Sequence, residues 1–380
     1  MEKKDKVVEP LKILIINKAY YPKLGGVETV VKACAEYFGE KRFGVRVLTF
    51  NTKGTLKEEI NDVHITRLPT ILKGRSFRVS LSFKKTFVEK VKNIDVVLFN
   101  FPSGQPELYS DLYRRATAKK ICFYHADVVN YGFVGWLYNN LFVKRFLKVM
   151  DKIIVTSPNI VNSSKILKKY KNKIKIIPLF VDISHFYPRN SNKKEYLLSL
   201  FNSNVKKIVM YIGRFARYKG LEYLVQAMKF LDNSYGLVLI GDGPRKKKLE
   251  KLIEKLDLGN RVVFLKHVSY KELPEYYSSA DVFVLPSISR AEAFGLVALE
   301  AMACGVPVVT TELGTGTSYH NVHGRTGLVV PSKDSKSLAE AVKTICEENW
   351  KKKKEKLIIN RAKEFSVERF QKSILKVIWE

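Results

Sequence analysis

The sequence predicts an α/β chain of two doubly wound domains, each a parallel sheet covered by helices on both faces. Short apolar runs of the kind that form buried parallel strands recur from Leu11 to Pro331, and stretches with helical spacing separate them. Strands that alternate with helices build parallel sheets. A length of 380 residues exceeds one ordinary domain and suits two, each large enough to bury its own core.

In the first half, Leu11-Lys-Ile-Leu-Ile-Ile16 reads as a buried strand and Tyr20 to Gly26 as a loop. Val27, Val30, Val31, Cys34, Tyr37 and Phe38 then mark one face of a helix. Gly25 and Gly26 have no Cβ, so the backbone there can approach a ligand just ahead of the helix N-terminus; a plain turn is the alternative. Further strands are expected over 45–50, 63–68, 95–99, 120–124, 152–156 and 174–177. His125 follows the strand at 120–124, and ligands in open parallel sheets gather at the carboxyl ends of strands. A structural hydrogen-bonding histidine is the alternative, and Asp127 is a weaker companion. The stretch 71–92 mixes seven cations with Phe77, Phe83 and Phe87. It suits either a membrane interface or a helix with its phenylalanines in the core and its lysines in water. The segment 136–149 reads as a core-facing helix.

A polar segment at 189–194 reads as a linker to the second half. There the strand Lys207-Ile-Val-Met-Tyr-Ile212 leads into Gly213-Arg214 and Lys219-Gly220, two cations that could clamp a diphosphate. In so basic a chain, paired surface cations are the alternative. The strand 236–240 ends in Gly241-Asp242-Gly243-Pro244, a tight turn that can pass close to a ligand. A strand at 262–265 runs into Lys266-His267-Val268. After the apolar run 281–286 comes Glu292-Ala-Phe-Gly-Leu-Val-Ala-Leu-Glu300. Phe294 and Gly295 are expected in the first turn of a helix, where unpaired N–H groups favour an anion. Glu292 and Glu300 would stand two turns apart, ready to accept hydrogen bonds from hydroxyl groups. Two solvated glutamates on an amphipathic helix are the alternative. The strand at 324–331 completes the sheet and three helices follow.

The string from Ser287 to Thr310 resembles the donor-binding motif of the family 4 retaining glycosyltransferases: two glutamates with seven residues between them, a small-residue helix and Gly305-Val-Pro-Val-Val309. The likeness extends from Leu11 to the C-terminus and is strongest over 207–331. It includes Gly25-Gly26-Val27-Glu28, His125 and the spacing of Arg214 to Lys219. At the crossover between domains, Leu179 and Phe180 stand where the family commonly has Asn and Gly.

This resemblance implies the GT-B type of fold: an N-terminal acceptor-binding Rossmann-like domain over 1–188 and a nucleotide-sugar-binding one over 189–364, facing across a cleft. A C-terminal helix over 365–380 would cross back to the first domain. It also implies that Glu300 holds the ribose hydroxyls and Glu292 meets the transferred sugar. Ala293, Phe294, Gly295 and Leu296 would line the donor, Arg214 and Lys219 would hold the diphosphate, and Gly241, Gly243 and Val268 would approach the nucleotide. Gly25 and Gly26 would form the loop facing acceptor and phosphate, with His125 beside the sugar. Arg214, Lys219, His125 and Glu292 are the implied catalytic set. Gly314-Thr-Gly-Thr-Ser318 resembles enzymes using GDP-mannose, with a UDP-sugar as the other donor. No metal and no cofactor are expected, since no Asp-x-Asp pair follows a strand.

Charge and composition bear on partners. Lys and Arg number 67 against 37 Asp and Glu, a net charge of +30. Residues 1–180 hold 34 basic and 15 acidic residues, a net of +19, which leaves +11 for residues 181–380. Such a field attracts nucleic acid, an anionic membrane or a phosphorylated substrate. No nucleic-acid motif accompanies it, so the partners expected are a nucleotide-sugar donor, a glycan or lipid-linked acceptor and an anionic membrane surface. Apolar runs fall short of the ~20 residues a spanning helix needs. The charged start leads into a strand rather than a signal core, and Cys34, Cys122, Cys304 and Cys346 lack disulfide or zinc spacing. The expected location is the cytoplasm, peripheral to the inner face of the cell membrane. Rival readings are a sugar-nucleotide epimerase or phosphorylase-like enzyme on the same fold, and a basic nucleic-acid-binding protein. The Glu292/Glu300 and Arg214/Lys219 pairs count against the last.

Overall fold

The computed structural model describes residues 10–23, 25–51, 53–73, 78–128, 132–201, 204–266 and 268–380. The chain divides into two units. Unit 1 takes the chain up to Val155, then Ser164–Ile177 and Ser373–Glu380; unit 2 takes Thr156–Ser163 and Pro178–Lys372. The main division therefore falls after Ile177 rather than at 188/189, and the last helix, Val367–Trp379, is shared between the units.

Among the described residues, ten strands belong to unit 1: β1 (Lys12–Ile16), β2 (Gly44–Asn51), β3 (Leu56–Ile60), β4 (Val63–Pro69), β5 (Leu72–Lys73), β6 (Arg78–Val79), β7 (Val96–Phe101), β8 (Lys119–Tyr124), β9 (Lys152–Val155) and β10 (Ile174–Ile176). Eight form one sheet in the order β10-β9-β8-β7-β1-β2-β4-β3, while β5 and β6 pair separately. All neighbours in the large sheet are parallel except β3 on β4. Every residue of β7 is buried, as expected of a strand covered on both faces. The edge strand β3, Leu-Lys-Glu-Glu-Ile, escapes a sequence reading because it buries no face of its own.

Unit 2 holds β11 (Lys207–Ile212), β12 (Tyr235–Ile240), β13 (Val262–Leu265), β14 (Val282–Leu285), β15 (Val308–Thr311) and β16 (Gly327–Val330), ordered β13-β12-β11-β14-β15-β16 and all parallel. In each unit the strand order reverses beside the first strand, between β1 and β7 and between β11 and β14. Ligands of doubly wound sheets bind at the carboxyl ends of the strands flanking such a reversal.

Helices cover the sheets through apolar stripes. The helix Gly26–Glu40 buries Val30, Val31, Cys34, Ala35 and Phe38. The helix Phe83–Val91 buries Phe83 and Phe87, so these two phenylalanines of the basic 71–92 stretch serve the core; Phe77 lies outside the described residues. In the C-terminal helix Phe370, Ile374, Val377 and Ile378 are buried, and Lys119 Nζ donates to the Val377 and Ile378 carbonyls at 2.7 and 3.0 Å.

Two further expectations are corrected. The segment 136–149 is core-facing only in its second half: Val143, Phe146 and Leu147 are buried, whereas Trp136, Leu137 and Leu141 are exposed. Between the helices Gly132–Tyr138 and Lys144–Val149 the chain makes a π-helical turn, Asn139–Val143. The extra residue in that turn rotates everything after it, so one continuous apolar periodicity serves two directions. The polar 189–194 segment is no linker. Arg189 N–H donates to Ser278 Oγ at 2.9 Å, Lys194 pairs with Asp281 at 2.6 Å and Lys193 with Glu272 at 3.4 Å, all within unit 2.

Candidate functional site

The residues singled out in the sequence form two clusters, one per unit, each at the carboxyl ends of strands beside the reversal in strand order.

In unit 2, β11 ends at Ile212 and the chain turns through Gly213 and the exposed Arg214 into a single 3-10 turn, Arg217–Lys219. Ile288 N–H donates to the Tyr218 carbonyl at 2.8 Å, which fastens this segment to the loop after β14. That loop carries Glu292. Lys219 Nζ donates to Glu292 Oε2 at 2.5 Å, and Ser287 Oγ donates to the same oxygen at 2.9 Å. Each charged side chain is only 10% exposed. Burial works against the Lys219 charge, but Glu292, helped by Tyr211 and Tyr218, holds its pKa above that of an ordinary lysine. The structure thus joins two residues to which the sequence gave separate tasks.

The helix after this loop is shorter than expected. It runs Leu296–Ala303 with Gly295 as its N-cap at φ 82°, so Phe294 and Gly295 precede the first turn and Glu292 is a loop residue. The left-handed conformation at Gly295 lets the chain swing from the loop into the helix, and a Cβ there would lie 2.5 Å from the Leu285 side chain. Leu296 is then the first helical residue, and Ala293 is half-buried in the loop. Glu300, one turn into the helix and half-buried, accepts a hydrogen bond from Tyr277 Oη at 2.6 Å. Burial raises its pKa, while the Tyr277 bond and the Lys219 charge pull it back.

The loop after β15 props up this arrangement from below. Thr315 Oγ1 donates to the Glu292 carbonyl and Gly316 N–H to the Ala293 carbonyl, both at 2.8 Å. His320 Nε2 donates to the Phe294 carbonyl at 2.8 Å, and its Nδ1 has no partner among the described residues. Burial pushes the His320 pKa down to about 4, so the ring is neutral. The turn at 241–244 packs on the Gly213 loop: Phe215 N–H donates to the Asp242 carbonyl at 2.8 Å, and a Cβ at Gly241 would meet the Gly213 oxygen at 2.1 Å. Gly241 thereby permits two strand-end loops to touch, and Gly243 packs against Phe215 in the same way. Val268 is half-exposed in the loop after β13, and His267 lies outside the described residues.

In unit 1, His125 sits one residue past β8 and its N–H donates to the Phe101 carbonyl at 2.9 Å. Its Nε2 is 2.9 Å from Asn100 Oδ1, while Asn100 Nδ2 donates to the Ile16 carbonyl at 3.2 Å. With the Asn100 amide nitrogen engaged, its oxygen faces the imidazole. Nε2 therefore carries the ring proton and Nδ1 keeps a lone pair. Burial, with Lys18 nearby, pushes the His125 pKa down to about 3, and the ring stacks on Phe123 at 4.4 Å. Asp127 accepts from Tyr124 Oη at 2.6 Å and Ser164 Oγ at 2.8 Å. Gly25, in extended conformation, caps the helix that Gly26 begins, at the same edge as His125.

Asn100, Ser287, Tyr277 and His320 were not singled out from sequence, and Thr315 was read only as part of the Gly314–Ser318 string. Only Asn100 left a usable signal, a lone amide within Val96-Val-Leu-Phe-Asn-Phe101 where every other residue is apolar.

Residues 193–365 match the family described as glycosyl transferases group 1, and residues 24–185 match glycosyltransferase family 4. The chain is similar to the D-rhamnosyltransferase WbpZ of Pseudomonas aeruginosa, 31% identical over 89% of this chain and 87% of that protein. It is similar to the O-antigen chain mannosyltransferase C of Escherichia coli, 29% identical over 87% of this chain and 88% of that protein. Among solved structures, Anabaena Alr3699/HepE in complex with UDP and glucose superposes with a TM-score of 0.78 at 19% identity, covering 97% of this chain and all of that one.

Proposed function

This chain belongs to the family 4 glycosyltransferases of the two-domain GT-B fold, and we propose that it moves a hexose, with retention of configuration, from a nucleotide diphosphosugar to a glycan or lipid-linked acceptor at a membrane surface. The observation that carries the proposal is the buried Lys219–Glu292 pair, with Glu300 beside it, at the strand-order reversal of unit 2. A carboxylate ready for hydroxyl groups and a cation ready for phosphate are already desolvated there. On this reading the incoming diphosphate takes over Lys219, with Arg214 as a second cation, and frees Glu292 to accept from the sugar. Glu300 accepts from the ribose, and the neutral His125 orients the sugar as the family resemblance implies.

The relatives that transfer D-rhamnose and mannose favour a sugar of that kind, with GDP-mannose as the leading donor and a UDP-sugar as the other. The Glu292 oxygen nearest Lys219 is already shared by two donors, which suits binding of hydroxyls better than nucleophilic attack. Same-face attack, with the departing phosphate taking the acceptor proton, is therefore favoured over a double displacement. Arg214 and Lys219 supply the positive charge the diphosphate needs, and activity should survive a chelator. The proposed place is peripheral, on the cytoplasmic face of the membrane; no helix among the described residues is long and apolar enough to cross it.

Calorimetric titration with GDP, UDP and random oligonucleotides at high salt tests the reading. One nucleotide should saturate while oligonucleotide binding fades with salt. Failure of both nucleotides to bind would sink the proposal.

A further inference from the structure

Residues 128–155 and 164–177 of unit 1 carry ten lysines and arginines against a single acid, Asp151. Asp151 is already engaged: its carboxylate accepts from Lys120 N–H at 2.7 Å and lies 3.4 Å from Lys120 Nζ. The two segments are fastened side by side. Tyr170 Oη donates to the Lys144 carbonyl at 2.8 Å, and Lys173 Nζ donates to the carbonyls of Lys148 and Met150 at 2.8 and 2.7 Å. Arg145, Lys148, Lys165, Lys168, Lys169 and Lys171 are all exposed on them.

The same helical run ends in an uncovered apolar face. Phe133, Val134 and Trp136 are 74%, 71% and 59% exposed, and Leu137 and Leu141 are exposed as well. The Phe133 and Trp136 rings stack on one another 5.7 Å apart. This is no loose end: Tyr138 Oη donates to the Gly104 carbonyl at 3.2 Å and Asn139 Nδ2 to the Val128 carbonyl at 3.1 Å, so the face is held outward by the fold. The π-helical turn at Asn139–Val143 separates it from the part of the run that packs on β7 through Phe146.

We propose that this face docks on an anionic lipid bilayer, with Phe133 and Trp136 entering the boundary between headgroups and acyl chains and the lysine-rich segment lying over acidic headgroups. Aromatic and aliphatic side chains flanked by exposed cations match that interface, which draws basic side chains to acidic headgroups. A second copy of the chain fits poorly, because a two-fold contact would set the same cations against each other. Single-stranded nucleic acid would use the rings but not Val134, Leu137 and Leu141, which offer no stacking surface. The inference rests on the membrane-side acceptor proposed above, while its test needs no transfer activity.

The full chain is sedimented with vesicles of phosphatidylcholine alone and of phosphatidylcholine with phosphatidylglycerol. The parent should bind the anionic vesicles at least about tenfold more tightly than the neutral ones. Phe133→Ser with Trp136→Ser, and separately Lys168→Glu, Lys169→Glu and Lys171→Glu together, should each weaken that binding by about tenfold or more, with nucleotide binding unchanged as evidence of an intact fold. Lys84→Glu with Lys85→Glu should leave it within about twofold, because that helix buries its phenylalanines. Parent-like vesicle binding in either of the first two variants overturns the proposal. So does loss in the Lys84/Lys85 variant alone, a parent that ignores anionic vesicles, or a face that serves only self-association or oligonucleotide binding. A parent that binds vesicles but no nucleotide would leave this surface standing and sink the glycosyl-transfer reading instead.

Discussion

Lys219 and Glu292, 73 residues apart in the chain, share a buried hydrogen-bonded ion pair at the end of the β11–β14 strand pair. The pair stores a cation and an anion out of water, each satisfied by the other until a ligand with matching charges and hydroxyls arrives. Removing one member strands the other, and breaking a buried pair in this way costs about 3–5 kcal/mol.

Lys219→Ala should therefore lower the unfolding free energy of unit 2 by about 3–5 kcal/mol, and adding Glu292→Gln should restore part of that loss. Urea unfolding of the single and double variants measures both. A single variant that loses under about 1 kcal/mol would show that the pair is solvated in practice.

Glu300→Gln keeps an oxygen for the Tyr277 hydroxyl, so the fold should hold while the ribose loses a charged acceptor. Nucleotide affinity should fall by about 1.5–3 kcal/mol, roughly tenfold or more. Calorimetry reads this directly, and an unchanged affinity removes Glu300 from the nucleotide site.

Stability should depend on pH through three buried groups. His125 and His320 are pushed down to about 3 and about 4, so between pH 6.5 and those values the unfolded chain binds protons that the folded one refuses, and stability falls as pH falls. Glu107, buried in the short 3-10 turn Gln105–Tyr109 that follows β7, opposes them. Burial raises its pKa to about 7, so it is protonated when folded and ionised when unfolded above pH 4.5, and its contribution is lost as pH rises through that window. Each group contributes up to about 1.4 kcal/mol per pH unit in its window. Relative to the parent, Glu107→Gln should steepen the loss of stability on acidification and His125→Asn should flatten it. Urea unfolding across that pH window measures the slopes, and slopes that move the other way would reverse the assignment.

Asn100 is the group that aims the His125 ring. Asn100→Asp would place a carboxylate 2.9 Å from Nε2, and an opposite charge that close raises a histidine pKa by about 1–3 units. NMR titration of the His125 ring should find that increase, with nucleotide affinity in unit 2 unchanged. An unmoved pKa would mean that the contact is not made in solution.

The product from an α-linked donor should carry an α-linkage. NMR of the product checks this, and a β-product would overturn retention. A glycosyl adduct trapped on Glu292 and seen by mass spectrometry would keep retention but replace same-face attack by double displacement.

Much of this protein was legible before any fold was known. The apolar runs that became β1, β2, β4, β7 to β14 and β16 announced themselves as strands, most plainly where both faces are covered as in β7, whereas β15 was read only as part of the Gly305–Val309 string. The exceptions have physical causes. The edge strand β3 is mostly polar because one of its sides meets water, and the run from Gly132 to Val149 kept a core-like period although a π-helical turn sends its first half into solvent. Lys351, the first of four consecutive lysines, donates its ammonium to the Ala280 carbonyl at 2.8 Å, a partner that only tertiary contact supplies.

The sequence by itself determined the class of fold, the order of strands and helices, and the residue types waiting at the strand ends, because periodicity and glycine placement are local properties. Tertiary structure alone decided which of those residues meet. Arg214 and Lys219 looked alike as cations after β11, but the loop geometry leaves one exposed and brings the other onto Glu292. Asn100 became the partner of His125 only because β7 and β8 lie side by side in register, with Asn100 opposite Phe123. Pairing across strands depends on sheet order and register, which are global, and the burial that keeps His125 neutral and raises Glu107, like the Glu292 contact that holds Lys219 charged, exists only once the chain has folded around them.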